Sequence, residues 1–240
     1  MPKDHLFAVP KPMVGDFNFG AETTAVFDDM LQRSVPFYGE IQRMIAEIVG
    51  EFAVSGTNVY DLGCSTGATI RNLGAVDKDV TFVGVDSSPE MLARAESEFH
   101  EANFNRPYVL RRQDLHEGLV IENASVVILC LTMQFVRPLY RERIMQTIFN
   151  GLIHQGCLIL VEKVLSEETL INRMFIKFYY DMKRRNGYSD LEIAQKREAL
   201  ENVLIPYRLE ENVQLLRGAG FHSPDVFFKW YNFCGLLATK

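Results

Sequence analysis

The chain has 240 residues and a formal net charge of −6, with 48% apolar and 23% charged side chains. That length suits one large α/β domain with its own core, and the composition is neither that of a disordered chain nor of a fibrous repeat. The acidic balance argues against a surface that grips a nucleic-acid backbone, which needs clustered Lys and Arg to displace counterions, and favours a small-molecule substrate.

No run of about 18 apolar residues occurs, and the amino terminus lacks the basic-then-apolar pattern of a secretory leader, so the cytoplasm is the expected location. Cys64, Cys130, Cys157 and Cys234 form no C-x-x-C pair. No metal site is expected from that spacing, and the thiols read as reduced and mostly buried.

Residues 1–20 carry Pro2, Pro10 and Pro12 with aperiodic phenylalanines and read as an extended, partly mobile arm. Residues 21–52 follow a helical pattern broken at Val35-Pro36, since proline disfavours helical geometry in the residue before it. The run Asn58-Val59-Tyr60-Asp61-Leu62-Gly63 predicts a strand entering a glycine turn, with a helix over 66–73. A second strand over 81–86 ends in Asp86, and Ser87-Ser88-Pro89-Glu90 signals the start of a helix over 91–99. Strands over 108–111 and 125–130, a helix over 140–152 and a strand over 157–164 follow. Continuous apolar strands alternating with helices predict a parallel, doubly wound sheet of the Rossmann-like class.

Residues 166–205 break the alternation with helical segments over 167–185 and 190–202, an expected inserted helical cap, while residues 1–57 form the arm and leading helices. The cluster Lys183-Arg184-Arg185 reads as a solvated helix end. A helix over 213–219, stopped by Gly220, and one or two strands over 226–237 complete a single expected domain, 1–240.

In such a sheet, ligands bind beyond the carboxyl ends of the strands where strand order reverses. The first loop, Gly63-Cys64-Ser65-Thr66-Gly67, spaces its glycines G-x-x-x-G at a helix start and is not the dinucleotide pattern. With Asp61 two residues before it, the turn suits the amino-acid end of S-adenosylmethionine. Asp86 is placed to accept hydrogen bonds from both ribose hydroxyls, and Asp114 from the adenine amino group, with the Leu115 N–H beside it. Each acid alone is as readily a helix cap; three at successive strand ends make the signal specific.

The same loop fits the G-x-S-x-G nucleophile elbow of serine hydrolases, with Ser65 as nucleophile. Too few strands precede it, His154 and His222 fall at the opposite sheet edge, and His116 breaks the required Ser, Asp, His order. A non-catalytic ligand-binding module and an ordinary small-molecule methyltransferase remain open alternatives.

Asp61 to Ser65, Ile121 to Ser125, Leu131-Thr132-Met133-Gln134-Phe135, Asn186-Gly187-Tyr188-Ser189, Gln195-Lys196-Arg197 and Leu200-Glu201-Asn202-Val203 resemble the carboxy-S-adenosyl-L-methionine synthases across most of the chain. The stretch 186–203 is the specific part, since generic methyltransferases share only the glycine turn. The resemblance implies a class I methyltransferase fold and a cytoplasmic homodimer. It implies carboxylation of the S-adenosylmethionine methyl group with prephenate, giving carboxy-S-adenosylmethionine, phenylpyruvate and water. The product would feed tRNA wobble-uridine modification by a separate enzyme, so direct nucleic-acid binding is not expected.

The implied binding positions are Tyr38, Gly63, Cys64, Ser65, Asp86, Ser87, Asp114, Leu115 and Arg197. Arg197 is also the implied catalytic group, its guanidinium pairing with the new carboxylate within one chain or across the dimer. The sulfonium acidifies its methyl group, and the expected route forms an ylide that attacks carbon dioxide released as prephenate aromatises. No protein base is evident, and hydroxide leaving prephenate is the expected proton acceptor. The family's Asn is replaced by Cys130 after the fourth strand and by Ser87 after Asp86, and Cys130 is left outside the site.

Overall fold

The computed structural model describes residues 2–240. Helices α1 (Ala21–Ser34) and α2 (Tyr38–Phe52) precede β1 (Asn58–Leu62), α3 (Ala68–Asn72), β2 (Thr81–Asp86), α4 (Pro89–Glu101) and β3 (Tyr108–Arg112). Then come β4 (Ala124–Cys130), α5 (Pro138–Gly151), β5 (Leu152–Lys163), α6 (Thr169–Arg185), α7 (Asp190–Leu200), α8 (Leu209–Gly218), β6 (His222–Trp230) and β7 (Phe233–Thr239). The sheet order is β3-β2-β1-β4-β5-β7-β6, parallel except that β7 runs antiparallel to both neighbours. This is the doubly wound, Rossmann-like architecture expected from the strand–helix alternation, apart from the antiparallel β7.

Alternate residues of each strand serve opposite faces. Val126 and Ile128 of β4 pack with Ile41, Ile45 and Val49 of α2. Val127 and Leu129 pack with Ile144, Met145 and Ile148 of α5. Both faces are covered, which is why the strands read as unbroken apolar runs. Helix α4 starts as predicted: Ser88 Oγ accepts the Met91 N–H at 3.1 Å and Pro89 occupies the first helical position.

Several boundaries differ from expectation. Helix α3 spans only Ala68–Asn72 and continues as one 3-10 turn, Leu73–Ala75. Strand β5 begins at Leu152, five residues early, because its first residue pairs with Ala124 before a bulge. The expected mobile arm is instead docked: Gln195 Nε2 donates to the carbonyls of Phe7 and Val9, and Phe7 and Phe17 are buried. Among the described residues, no helix is long and apolar enough to cross a membrane.

Candidate active site

At the carboxyl ends of the strands, where the chain winds from β1 to β2 on one side and to β4 on the other, the sheet opens into a cavity of about 250 Å³. The arm, α1, α6 and α7 form its outer walls. Of the sequence-derived positions, Tyr38, Gly63, Cys64 and Ser65 line it from β1 and α2, and Asp86, Ser87, Asp114 and Leu115 from β2 and β3.

The turn after β1 takes left-handed backbone at Gly63 (φ 77°), Ser65 (φ 48°) and Gly67 (φ 75°). A Cβ on Gly63 would lie 2.4 Å from Thr132 Oγ1, so the loops following β1 and β4 meet only because Gly63 lacks one. Asp86 organises the turn: its Oδ2 accepts the Ser65 N–H at 2.9 Å and its Oδ1 the Ser88 N–H at 2.9 Å. A carboxylate offers about four acceptor positions, so capacity for ligand hydroxyls remains. Burial pushes the Asp86 carboxyl above its ordinary range, opposed by the N–H groups of Ser88, Ser65 and Ser87.

Asp61 lies beneath this turn, only 2% exposed, and its Oδ2 has no hydrogen-bond partner. Burial, and secondarily the charge of Asp86, pushes its carboxyl up to about 7. An uncompensated acid under the cavity floor suits a cationic ligand above it. Asp114 is held below its ordinary range although burial acts the other way, because the His116 backbone N–H (2.8 Å) and ring Nδ1 (2.7 Å) hydrogen-bond its Oδ1. His116 Nε2 accepts the Arg137 N–H at 3.2 Å, which assigns the ring proton to Nδ1.

Both nitrogens of His116 are therefore engaged, and Ser65 Oγ donates only to the Gly63 carbonyl at 3.4 Å. His154 and His222 lie at the far edge, on β5 and at the start of β6. Ser65 has no base, which removes the geometric case for the elbow.

The half of the cavity beyond β4 and β5 differs in charge. It is lined by Thr132, Gln134, Lys163, Tyr179 and Lys196, none of which the sequence reading singled out as a site residue. Gln134 Nε2 donates to the Leu131 carbonyl and its Oε1 accepts the Lys163 N–H at 3.1 Å, bracing the two loops. Buried Glu162 accepts the N–H groups of Met133 (2.9 Å) and Gln134 (2.8 Å). Lys163 ends β5 one residue after Glu162 closes its apolar run, so the strand-end signal that marks Asp86 on β2 points to the Glu162-Lys163 pair. Lys183 is a correction: it is buried beneath the rings of Tyr179 and Tyr188, while only Arg184 and Arg185 are solvated.

Arg197 lies in the last turn of α7, exposed to solvent and outside the cavity lining. Its neighbour Lys196 faces inward, so helix periodicity turns Arg197 away within one chain. Cys64, Cys157 and Cys234 are buried thiols and Cys130 is partly buried, its Sγ 3.7 Å from Gln42 Nε2.

A methyltransferase-domain family model matches residues 59–156. An O-methyltransferase family protein from Burkholderia thailandensis superposes with a TM-score of 0.66 at 14% identity, covering 91% of this chain and 60% of that one. Human N-acetylserotonin methyltransferase in complex with S-adenosylmethionine gives 0.60 at 14% identity, covering 91% and 55%. These likenesses establish the fold. A carboxy-S-adenosyl-L-methionine synthase from Methylococcus capsulatus is 54% identical over 242 residues, covering 100% of both chains. One from Desulfotalea psychrophila is 42% identical over 240 residues, covering 99% of this chain and 97% of that one. With identity of this order over the whole length, the chain belongs to the carboxy-S-adenosyl-L-methionine synthase family of transferases.

Proposed function

We infer that this protein makes carboxy-S-adenosylmethionine from S-adenosylmethionine, with prephenate as carboxyl donor. The observation that carries the reading is that kinship with synthases covers the full length, including α6 and α7, and not only the methyltransferase core.

Asp86 would receive the ribose hydroxyls, Asp114 and the Leu115 N–H the adenine, and the Gly63–Ser65 turn the amino-acid end, with Tyr38 closing over it. In the donor half, the bond from the prephenate ring to its carboxylate breaks, its electron pair enters the ring, and hydroxide leaves from the opposite carbon. The dianion thus yields the phenylpyruvate anion, carbon dioxide and hydroxide. Hydroxide takes one methyl proton to give water, and the methyl carbon bonds to carbon dioxide, so atoms and charge balance. The chain's own contribution is to hold the two molecules together and keep water out.

A homodimer completes the reading. Leu170, Ile171 and Met174 form an exposed apolar strip on α6, and Arg197 is exposed on α7, a helix that packs against α6. A second copy covering this strip would take Arg197 out of solvent and into the partner's cavity, where its guanidinium meets the new carboxylate. The setting is cytoplasmic and the product serves tRNA wobble-uridine modification. Mass spectrometry after incubation with S-adenosylmethionine and prephenate should show the carboxylated product; methyl transfer to a small molecule without it would replace this reading with an ordinary methyltransferase.

A further inference from the structure

The donor half of the cavity holds more positive charge than the chain neutralises. Lys196 lines it and is 6% exposed, yet its Nζ is buried without a hydrogen bond, with Asp4 Oδ2 3.7 Å away. That Asp4 oxygen already accepts the Tyr188 hydroxyl at 2.6 Å. Lys163 Nζ lies 4.8 Å from the centre of the Tyr179 ring, and Lys183 Nζ 5.7 Å from the same ring on its way to Tyr188. Three ammonium groups thus share two tyrosine rings, and burial lowers each of them, Lys163 and Lys196 to about 8 and Lys183 to about 7, the last also through its lysine neighbours. Among the described residues only Asp4 is ion-paired to these three buried ammonium groups, so a further anion in the cavity would complete them.

The cavity also has an apolar lining, which begins beside Lys196, whose Nζ lies 6.0 Å from the centre of the Phe17 ring. Phe19 meets Phe17 and Phe135 edge-on, each at 5.2 Å between ring centres, and all three line the cavity. An ammonium group and an apolar ring treat the two carboxylates of the donor differently. A carboxylate that departs as carbon dioxide gives up its charge in the transition state, so a lysine clamped on it would stabilise the reactant more than the transition state. The carboxylate of the 2-oxo-acid arm keeps its charge throughout, and a cation there positions the donor without opposing the reaction.

We propose that Lys163 and Lys196 bind the 2-oxo-acid carboxylate of the donor, the one that stays, and thereby leave the departing carboxylate to the apolar lining around Phe19 and Phe135. Lys183, behind Tyr179 and Tyr188, is a positioning residue that adds to the field without lining the cavity. The inference rests on the reaction proposed above and adds to it which residues take the donor and in which orientation.

The test exploits phenylpyruvate, which retains the 2-oxo-acid carboxylate and lacks the departing one. Protein loaded with S-adenosylhomocysteine, which has no methyl group to carboxylate, is titrated with phenylpyruvate and with prephenate by calorimetry. Lys163→Met and Lys196→Met should each weaken both ligands by about tenfold or more and by similar factors, with S-adenosylhomocysteine affinity unchanged. In turnover the KM for prephenate should rise while that for S-adenosylmethionine holds, and Lys196→Arg should restore most of the loss. Prephenate weakened with phenylpyruvate unaffected would place the lysines on the departing carboxylate and overturn the orientation; no effect on either would overturn the subsite. Should Lys196→Met fail to fold, Lys163→Met carries the same comparison. Lysine-dependent phenylpyruvate binding in a protein that makes no carboxylated product would keep the subsite and overturn the reaction instead.

Discussion

The Ser65 backbone N–H donates to Asp86 Oδ2 at 2.9 Å, so the acid that ends β2 also fixes the turn that follows β1. Asp86→Ala removes the ribose acceptor and this tie together. Affinity for S-adenosylmethionine should fall by about 2–4 kcal/mol, the range for losing charged hydrogen bonds, as read by calorimetry. Ser65→Ala keeps the N–H and should be mild. An esterase activity lost in Ser65→Ala, with no S-adenosylmethionine binding in the parent, would restore the hydrolase reading.

Asp61 sets a pH dependence whose sign follows from its raised carboxyl. Below the ordinary value of 3.8 the group is protonated in both folded and unfolded chains. Between 3.8 and about 7 the folded chain retains a proton that the unfolded chain has lost, so this contribution to stability declines as pH rises and is gone above about 7. Asp61→Asn should flatten that decline in thermal melts of the ligand-free protein. A cationic ligand bound above Asp61 should also release protons at about pH 6 in the parent and not in Asp61→Asn, detectable in buffers of different ionisation enthalpy. Identical melting profiles in the two proteins would mean that Asp61 does not titrate in this window.

Arg197→Leu should discriminate among ligands. Carboxy-S-adenosylmethionine carries the extra carboxylate, and its affinity should fall by about 2–5 kcal/mol if the pair is desolvated in the dimer, with S-adenosylmethionine and its demethylated product little changed. Equal weakening of all three would make Arg197 a fold or interface residue. Because Arg197 faces away from its own cavity, mixing Arg197→Leu subunits with Asp86→Ala subunits should recover part of the synthesis. No recovery would argue against a shared site.

Tyr188→Phe deletes a buried hydroxyl that donates to Asp4 Oδ2 at 2.6 Å and leaves that acid with Lys196 and the Leu6 N–H. Urea unfolding should show a loss of about 1–3 kcal/mol, the range for a buried acceptor losing its donor. An unchanged midpoint would mean that the Tyr188–Asp4 bond adds nothing to global stability.

The acids at the cavity were legible because each closes an apolar run: Asp86 follows Thr81-Phe82-Val83-Gly84-Val85, and strand ends in a parallel sheet point to the ligand crevice. The helix start at Ser88-Pro89 was legible for an equally local reason, the side-chain cap. Lys183 was not, because its burial depends on Tyr188 and on Asp4, residues brought together across most of the chain. Read locally, Lys183-Arg184-Arg185 ends a helix in water, and only tertiary packing separates the first residue from the other two. The docked arm was missed for the same reason, since its anchors, Gln195 and Ala199, lie in α7.

The bond between Tyr188 and Asp4 spans 184 positions, which fixes the order in which the enzyme can be finished. While the chain is being synthesised, residues 4–19 can meet α1 early, through the Asp4 N–H bonded to Asp29, but their anchors Gln195 and Ala199 are missing until α7 has emerged. A nascent chain can assemble β1 to β4 beforehand, but the wall formed by Phe17 and Phe19 closes only after long-range contacts do, and such contacts form slowly. A chain arrested before residue 188 would carry the glycine turn and the strand-end acids while lacking the part of the wall that α7 supplies.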